Sequence, residues 1–215
     1  MKTMLLYSGG MDSYIAWHYL KKPETLYVDL GHVYRTNEIG AINNTIPSTK
    51  RIDCHIIGKY EKPDAEIPMR NLFLAMFAAA EGFDKIWLIV QRDEMSIPDR
   101  SEEFFQDSSI MLSKLMGRSI LVDSPFKSID KTEMVAWYLK NVGDVGSLLL
   151  TVGCFYERIG HCGNCGACFR RFVAFKNNGI DPGYKLSDSI KKHYRDHLDN
   201  YSAQRQTRMR RWIEK

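Results

Sequence analysis

Hydrophobic residues fall along this chain in short solid runs separated by mixed stretches, the pattern of buried strands joined by amphipathic helices. Met4-Leu5-Leu6-Tyr7 is such a run, and it stops at Ser8-Gly9-Gly10, so it predicts a strand ending in a turn. Residues 12–20 carry Ile15, Trp17 and Leu20 among small and polar side chains and predict a helix fed by that turn. Thr25-Leu26-Tyr27-Val28-Asp29 predicts a second strand, and residues 36–45 a helix ending short of Pro47. Residues 53–58, with Cys54, His55, Ile56 and Ile57, predict a third strand. Residues 70–81 are Ala-rich and apolar nearly all round, which suits a buried helix. The strongest strand signal is Ile86-Trp87-Leu88-Ile89-Val90, within 85–91. A helix over 102–116, a short strand over 119–122 and a helix over 130–141 follow. The last opens on Asp130 with Glu133 three residues on, a capping arrangement.

Strands alternating with helices give βαβ units, and hence an α/β fold: a Rossmann-like, mostly parallel sheet flanked by helices. Ligands of such sheets bind beyond the carboxyl ends of the strands, where the strand order reverses. The Ser-Gly-Gly turn stands at that end of the first strand. The expected division is an α/β domain over 1–145 and a small helical, metal-binding segment over 146–215 ending in a basic helix.

Composition adds little to the fold but bounds the setting. The chain has 215 residues, 44% hydrophobic and 26% charged, enough for a core without disulfides. Met1 to Tyr7 lack the apolar length of a secretory signal, and the longest apolar run, 72–80, is too short for a bilayer. A cytoplasmic protein with reduced thiols is expected. The net charge is +4, and residues 185–215 alone hold nine Lys or Arg against four Asp or Glu, a balance of +5. Such a tail can meet nucleic acid, an acidic partner or a neighbouring subunit's triphosphate. A solvated helix face is the plainer reading, so nucleic acid is not required.

Two motifs carry chemistry. Ser8-Gly9-Gly10-Met11-Asp12-Ser13 offers hydroxyls and closely approachable backbone N–H groups at a helix start, which is what a polyphosphate needs. Asp12 repels bare phosphate and makes sense as a Mg²⁺ partner or helix cap. No Gly-Lys-Ser/Thr ending is present, so this is not a Walker loop. A Gly-Gly turn alone would be only a helix start; the full six-residue order after an N-terminal strand resembles the loop of the N-type ATP pyrophosphatases. The second motif is Cys154-x7-Cys162-x2-Cys165-x2-Cys168, four of the five cysteines. Four thiolates at this spacing can wrap one tetrahedral ion, and zinc is favoured. An iron–sulfur cluster is the rival, although the closely spaced fourth cysteine of ferredoxin-like runs is missing. His161 is a bystander or a substitute ligand, and Cys54 a core residue.

Together the motifs resemble one family, the 7-cyano-7-deazaguanine synthases of queuosine precursor synthesis. Asp29-Leu30-Gly31-His32, Arg70-Asn71-Leu72-Phe73-Leu74, residues 93–104 with Pro98-Asp99 and Glu103-Phe104, Ser124-Pro125-Phe126, Lys131-Thr132-Glu133, and Cys154 through Arg170-Arg171 carry the likeness. The resemblance implies an adenine nucleotide alpha hydrolase-like fold and the cofactors ATP, Mg²⁺ and Zn²⁺. It implies conversion of 7-carboxy-7-deazaguanine and ammonia to the nitrile, through an adenylated carboxylate and an amide, by a homodimeric ligase away from membranes. Tyr7, Ser8, Gly9, Gly10, Met11, Asp12, Ser13 and Asp29 would hold the nucleotide. Asp12, Ser13, Arg70 and Lys131 would be catalytic, the last two countering phosphate charge; a solvated lysine and a helix-end ion pair are their plainer alternatives. Arg70, Asn71, Asp93, Asp99 and Glu103 would bind the substrate, Asp99 and Glu103 being otherwise ordinary loop and helix-start carboxylates. Departures fall in the substrate region. Ile97-Pro98-Asp99-Arg100-Ser101 replaces Tyr-Pro-Asp-Cys-Arg, and Val90-Gln91-Arg92 replaces Gly-Val-Asn. They admit a related deazapurine acid or a reaction that stops at the amide. A tRNA-thiolating pyrophosphatase and a non-catalytic zinc and nucleotide-binding module are the rival classes.

Overall fold

The computed structural model describes residues 1–156 and 160–214. Five parallel strands form one sheet in the order β3-β2-β1-β4-β5: β1 (Thr3–Leu6), β2 (Glu24–Asp29), β3 (Lys50–Asp53), β4 (Lys85–Trp87) and β5 (Leu121–Asp123). The order reverses between β1 and β4, which opens a crevice at the carboxyl end of β1. Leu5 of β1 faces Thr25 on one side and Trp87 on the other.

Alternate side chains of each strand leave on opposite faces, and helices cover both. On one face Met4, Leu6, Leu26 and Val28 pack against α3 (Arg70–Ala80) and α4 (Glu102–Met116) through Ala75, Ala78, Phe105 and Leu112. Ala75, Ala78 and Ala79 are at most 1% exposed, so the small side chains of α3 let its backbone lie close on the sheet. On the other face Leu5, Tyr7 and Tyr27 meet α1 (Met11–Tyr19), α2 (Arg35–Thr45) and α5 (Lys131–Asn141). That core also takes Leu148 from α6 (Val145–Leu149) and Ala174 and Phe175 from α7 (Gly166–Asn177). Packing is therefore continuous across residues 145 and 146. A satellite core joins α7 to α8 (Asp188–Asp196) and α9 (Ala203–Ile213) through Phe169, Ile190, Tyr194 and Met209.

Three expectations need correction. The third strand is Lys50–Asp53, not 53–58, and His55–Tyr60 is 3₁₀-helical. Gly58 donates its N–H to Leu30 O at 2.6 Å, and a Cβ on Gly58 would stand 2.5 Å from the Gly31 backbone. The chain must fold back over the end of β2 there, so the apolar run cannot extend the sheet. The strand over 85–91 keeps regular pairing only to Trp87; beyond it Val90 N–H turns to the Ser124 hydroxyl at 3.0 Å. A side chain has replaced the ladder partner, and the strand ends splay around the crevice. Finally, the basic C-terminal helix is two helices, α8 and α9, folded back on α7.

The capping box at α5 is present as read. Asp130 accepts from Thr132 and Glu133 N–H at 2.8 and 3.0 Å, while Glu133 accepts from Asp130 N–H at 2.7 Å. Asp130 is buried and also pairs with Arg92 at 3.1 Å and with Arg208 of α9. Asp130→Ala therefore loses a cap and a partly buried ion-pair centre together, about 2–3 kcal/mol. Thermal unfolding is expected to show a midpoint lower by roughly 5–10 °C; an unchanged midpoint would deny this residue its fastening role.

Candidate active site

The crevice is a cavity of about 610 Å³ over the carboxyl ends of β1, β2 and β4. The 8–13 loop forms one wall. Gly9 has φ +71°, and a Cβ there would lie 2.8 Å from both Ala41 Cβ and Glu38 O of α2. Only glycine lets the loop turn this close to α2. Gly9→Ala is expected to cost about 3 kcal/mol from left-handed strain and overpacking, read as a lower unfolding midpoint with weakened nucleotide binding; wild-type stability would refute it.

Gly10 is the N-cap of α1 and brings no side-chain cap, so first-turn N–H groups stay available for an anion. The Ser13 hydroxyl donates to Gly10 O at 3.0 Å, and Gly10 N–H reaches Ser8 Oγ at 3.4 Å. Val152 N–H donates to Gly9 O at 3.1 Å, which ties the loop to the segment entering the cysteine cluster. Asp12 pairs with Lys131 through Oδ2, while its buried Oδ1 has no hydrogen-bond partner among the described residues. That oxygen, beside the Ser8 and Ser13 hydroxyls and the helix-start N–H groups, fits a Mg²⁺ ion.

Arg70, Arg100, Lys131 and Arg170 line the same cavity, with Glu94 among them. Burial alone would raise the Glu94 carboxyl, but Arg100, then Lys131, Arg170 and Arg70, outweigh it and hold the group below the usual carboxylate range. Arg100 lies 3.0 Å from Glu94. Arg70 Nη1 donates to Tyr34 Oη at 3.4 Å, and burial pushes the Tyr34 phenol up to about 12. On the β2 side His32 is buried, meets Glu38 Oε2 through Nε2 at 2.9 Å, and leaves Nδ1 unpartnered among the described residues.

The cysteine cluster borders the same cavity. Cys154, Cys162, Cys165 and Cys168 bring their sulfurs within 4.8 Å of one another. Cys162 and Cys168 Sγ are 3.8 Å apart, matching the roughly 3.8 Å edge of a tetrahedron with Zn–S near 2.3 Å. A multi-iron cluster needs room for sulfide and iron inside its thiolates; these sulfurs leave room for a single ion. Burial pushes the Cys162 thiol up to about 11, so four ionised sulfurs here need a cation among them. Asn164 N–H donates to Cys162 Sγ at 3.2 Å and Cys168 N–H to Cys165 Sγ at 3.4 Å. Cys165 is thus the N-cap of α7, the helix that projects Arg170 into the cavity. The next residue, Arg171, donates to Thr151 Oγ1 at 2.6 Å and to Leu148 O at 3.3 Å, and burial pulls its guanidinium down to about 10. It clamps the segment that carries Cys154. Glu157, Arg158 and Ile159, between the first two cysteines, lie outside the described residues.

Of the residues singled out from sequence, Tyr7, Ser8, Gly10, Met11, Asp12, Ser13, Arg70, Asn71, Asp99 and Lys131 line this cavity. Asn71 is buried and donates to Asp99 O at 2.8 Å, which fixes the 97–101 turn. Gly9 supports the loop from behind. Asp29 faces away: it accepts from Gly31 N–H at 2.9 Å and pairs with His55 at 3.0 Å and Arg35 at 3.4 Å. Asp29, Asp53 and His55 could gather a metal ion, but Arg35 already stands 3.0 Å from His55 and supplies the cation. Asp93 lines a separate, smaller cavity beside Arg205. Glu103 is exposed on the first turn of α4, where its own backbone N–H and then Ser101 lower its carboxyl. Sequence reasoning did not single out His32, Glu94, Arg100 or Arg170 for the site. Each stands within a segment that carries the family likeness, but none was marked out by its residue type or spacing.

Residues 28–179, which is 152 of the 215, match the family model of the queuosine biosynthesis protein QueC. The match holds the cysteine cluster and begins after the 8–13 loop. Similar curated proteins extend over more of the chain. A 7-cyano-7-deazaguanine synthase 1 of Colwellia psychrerythraea is 28% identical over 214 residues, covering 84% of this chain and 97% of its own. The 7-cyano-7-deazaguanine synthase of Methanospirillum hungatei is 29% identical over 224 residues, with 85% and 98% covered. That of Methanococcus vannielii is 27% identical over 174 residues, with 74% of each chain covered.

Proposed function

The chain belongs to the family of the queuosine biosynthesis protein QueC, and on that premise we propose that it is an ATP-dependent ligase making 7-cyano-7-deazaguanine from 7-carboxy-7-deazaguanine and ammonia. The observation that carries the reading is the 8–13 loop at the switch in strand order, opening into one cavity with Lys131, Arg70, Arg100 and Arg170.

A carboxylate resists ammonia because it is negatively charged and lacks a leaving group. Its oxygen attacks the α-phosphorus of ATP, the bond to the bridging oxygen breaks, and pyrophosphate departs. First-turn N–H groups of α1 and the Ser8 and Ser13 hydroxyls hold the departing pyrophosphate. Mg²⁺, held through Asp12, neutralises phosphate charge when bound. Lys131, Arg170 and Arg100 bring carboxylate and α-phosphate together by offsetting both charges, the kind of preorganised stabilisation worth about 10²–10³ in rate per donor. Ammonia then attacks the acyl carbon, AMP leaves, and a proton is lost to give the amide. A second ATP adenylates the amide oxygen; loss of AMP and the two amide protons gives the nitrile. Arg70, Asn71 and Asp99 shape the cavity around the reacting groups.

Cys154, Cys162, Cys165 and Cys168 would hold zinc, which would fasten the start of α7 and with it Arg170. Among the described residues no helix is long and apolar enough to cross a membrane; the proposed setting is the cytoplasm, with a homodimer as the working assembly. RNA is not invoked. Arg205, Arg208 and Arg210 of the basic segment pair with Asp93, Asp130 and Glu214 within the chain.

The test is product identity. Purified protein with Mg-ATP, ammonia and 7-carboxy-7-deazaguanine is expected to give AMP, pyrophosphate and the nitrile by mass. Amide alone would establish the truncated variant; unchanged acid with intact ATP would refute the reading.

A further inference from the structure

Beyond the cationic wall lies the smaller cavity, of about 240 Å³. Glu94, Arg100, Lys131 and Arg170 line both cavities, so the two spaces share that wall. Gln91 and Phe169 also line the smaller one, and α9 brings Arg205 and Arg208 to it.

Gln91 is the telling residue. It is 3% exposed, and its Oε1 has no hydrogen-bond partner among the described residues. Its backbone is fixed by a bridge to Phe126. A buried amide oxygen without a donor costs about 1–3 kcal/mol, and a ligand N–H would recover it. Asp93 is the second acceptor. Its only ion pair among the described residues is the long one with Arg205, at 3.6 Å, so it keeps capacity for another donor. The cations Arg100, Lys131 and Arg170 line the same cavity.

A pocket lined both by an unpartnered acceptor and by cations suits a flat ligand that carries N–H groups on one edge and an anion on another. A guanine-type edge presents a ring N–H and an exocyclic amino group, and a carboxylate on the five-membered ring lies far from them. We propose that the smaller cavity is the acceptor-acid site, with Gln91 Oε1 and Asp93 receiving the guanine-type N–H groups. The carboxylate is turned to Arg100 and Lys131, where the triphosphate cavity begins. This assignment rests on the function proposed above. It makes Gln91 a specificity residue and gives the basic segment a part in recognition, since Arg205 holds Asp93 in place from α9.

The test compares wild type, Gln91→Leu and Asp93→Asn. The acids are 7-carboxy-7-deazaguanine and its analogue lacking the 2-amino group. Wild type is expected to prefer the guanine-type acid, and Gln91→Leu to raise its KM roughly tenfold or more while shrinking that preference. The KM for ATP and the zinc content should stay unchanged. Asp93→Asn should act in the same direction, so the outcome does not depend on Gln91→Leu folding well. An unchanged KM and preference in folded variants would overturn the assignment. Calorimetric binding of the acid without ATP separates the two levels. Should wild type release no pyrophosphate yet bind the acid in a Gln91-dependent way, the pocket stands and the reaction fails. Should it bind no acid at all, the pocket assignment falls.

Discussion

Asp12→Ala is expected to lower acid-dependent pyrophosphate release by about 10³-fold or more while leaving the fold intact. Two roles meet on this carboxylate. One oxygen pairs directly with Lys131, and the other is buried without a partner among the described residues. Removing it frees Lys131 from its placement and removes the proposed Mg²⁺ ligand, so positioning and charge neutralisation fail together. The residue lies in the first turn of α1 and its side chain caps nothing there, so the unfolding midpoint should move little. Asp12→Asn keeps the shape without the charge and should be nearly as slow. Retained turnover in either variant would remove the loop from the chemistry.

Cys165→Ser carries the second large effect. Serine is itself a good N-cap, so the substitution preserves the cap of α7 and removes only the thiolate. Zinc content is expected to fall well below one per chain, and soluble yield with it, because binding free energy of a structural zinc is folding free energy. The damage should also reach the cavity. The cluster holds the start of α7 and hence Arg170, and Cys154 is joined to the loop through Val152 and Gly9. Chelation of the wild-type protein should reproduce the loss of both zinc and turnover. Normal zinc loading in Cys165→Ser would refute the four-ligand site.

These effects trace to features that were local in sequence, and such features were legible. The apolar runs gave the strands of a two-faced parallel sheet. Asp130 and Glu133 gave the cap of α5, and the Ser-Gly-Gly turn and four cysteines stood out by spacing. What escaped depended on contacts between distant segments. Residues 53–58 look like a strand until Gly58 meets Gly31 and Leu30, 27 and 28 positions earlier. Nothing within 85–91 says that Ser124 will take over as partner of Val90. Glu94, Arg100 and Arg170 are single charges with no periodicity, and only the assembled crevice gathers them. Asp29 and Glu103 show the converse, since neither lines the cavity. Each stands in a motif-like segment, yet one fastens a turn and the other sits at a helix start, because backbone N–H groups compete for short-range carboxylates. In the basic tail, read by charge as a solvated helix face, Arg205 and Arg208 find acids within the chain.

The central claim is that a carboxylate oxygen of the acceptor attacks the α-phosphorus of ATP. The direct measurement uses 7-carboxy-7-deazaguanine labelled with ¹⁸O in the carboxylate, followed by mass analysis of the nucleotide. The predicted result is one ¹⁸O in each AMP formed, with none in pyrophosphate. Unlabelled AMP, or ADP and phosphate in place of AMP and pyrophosphate, would contradict it.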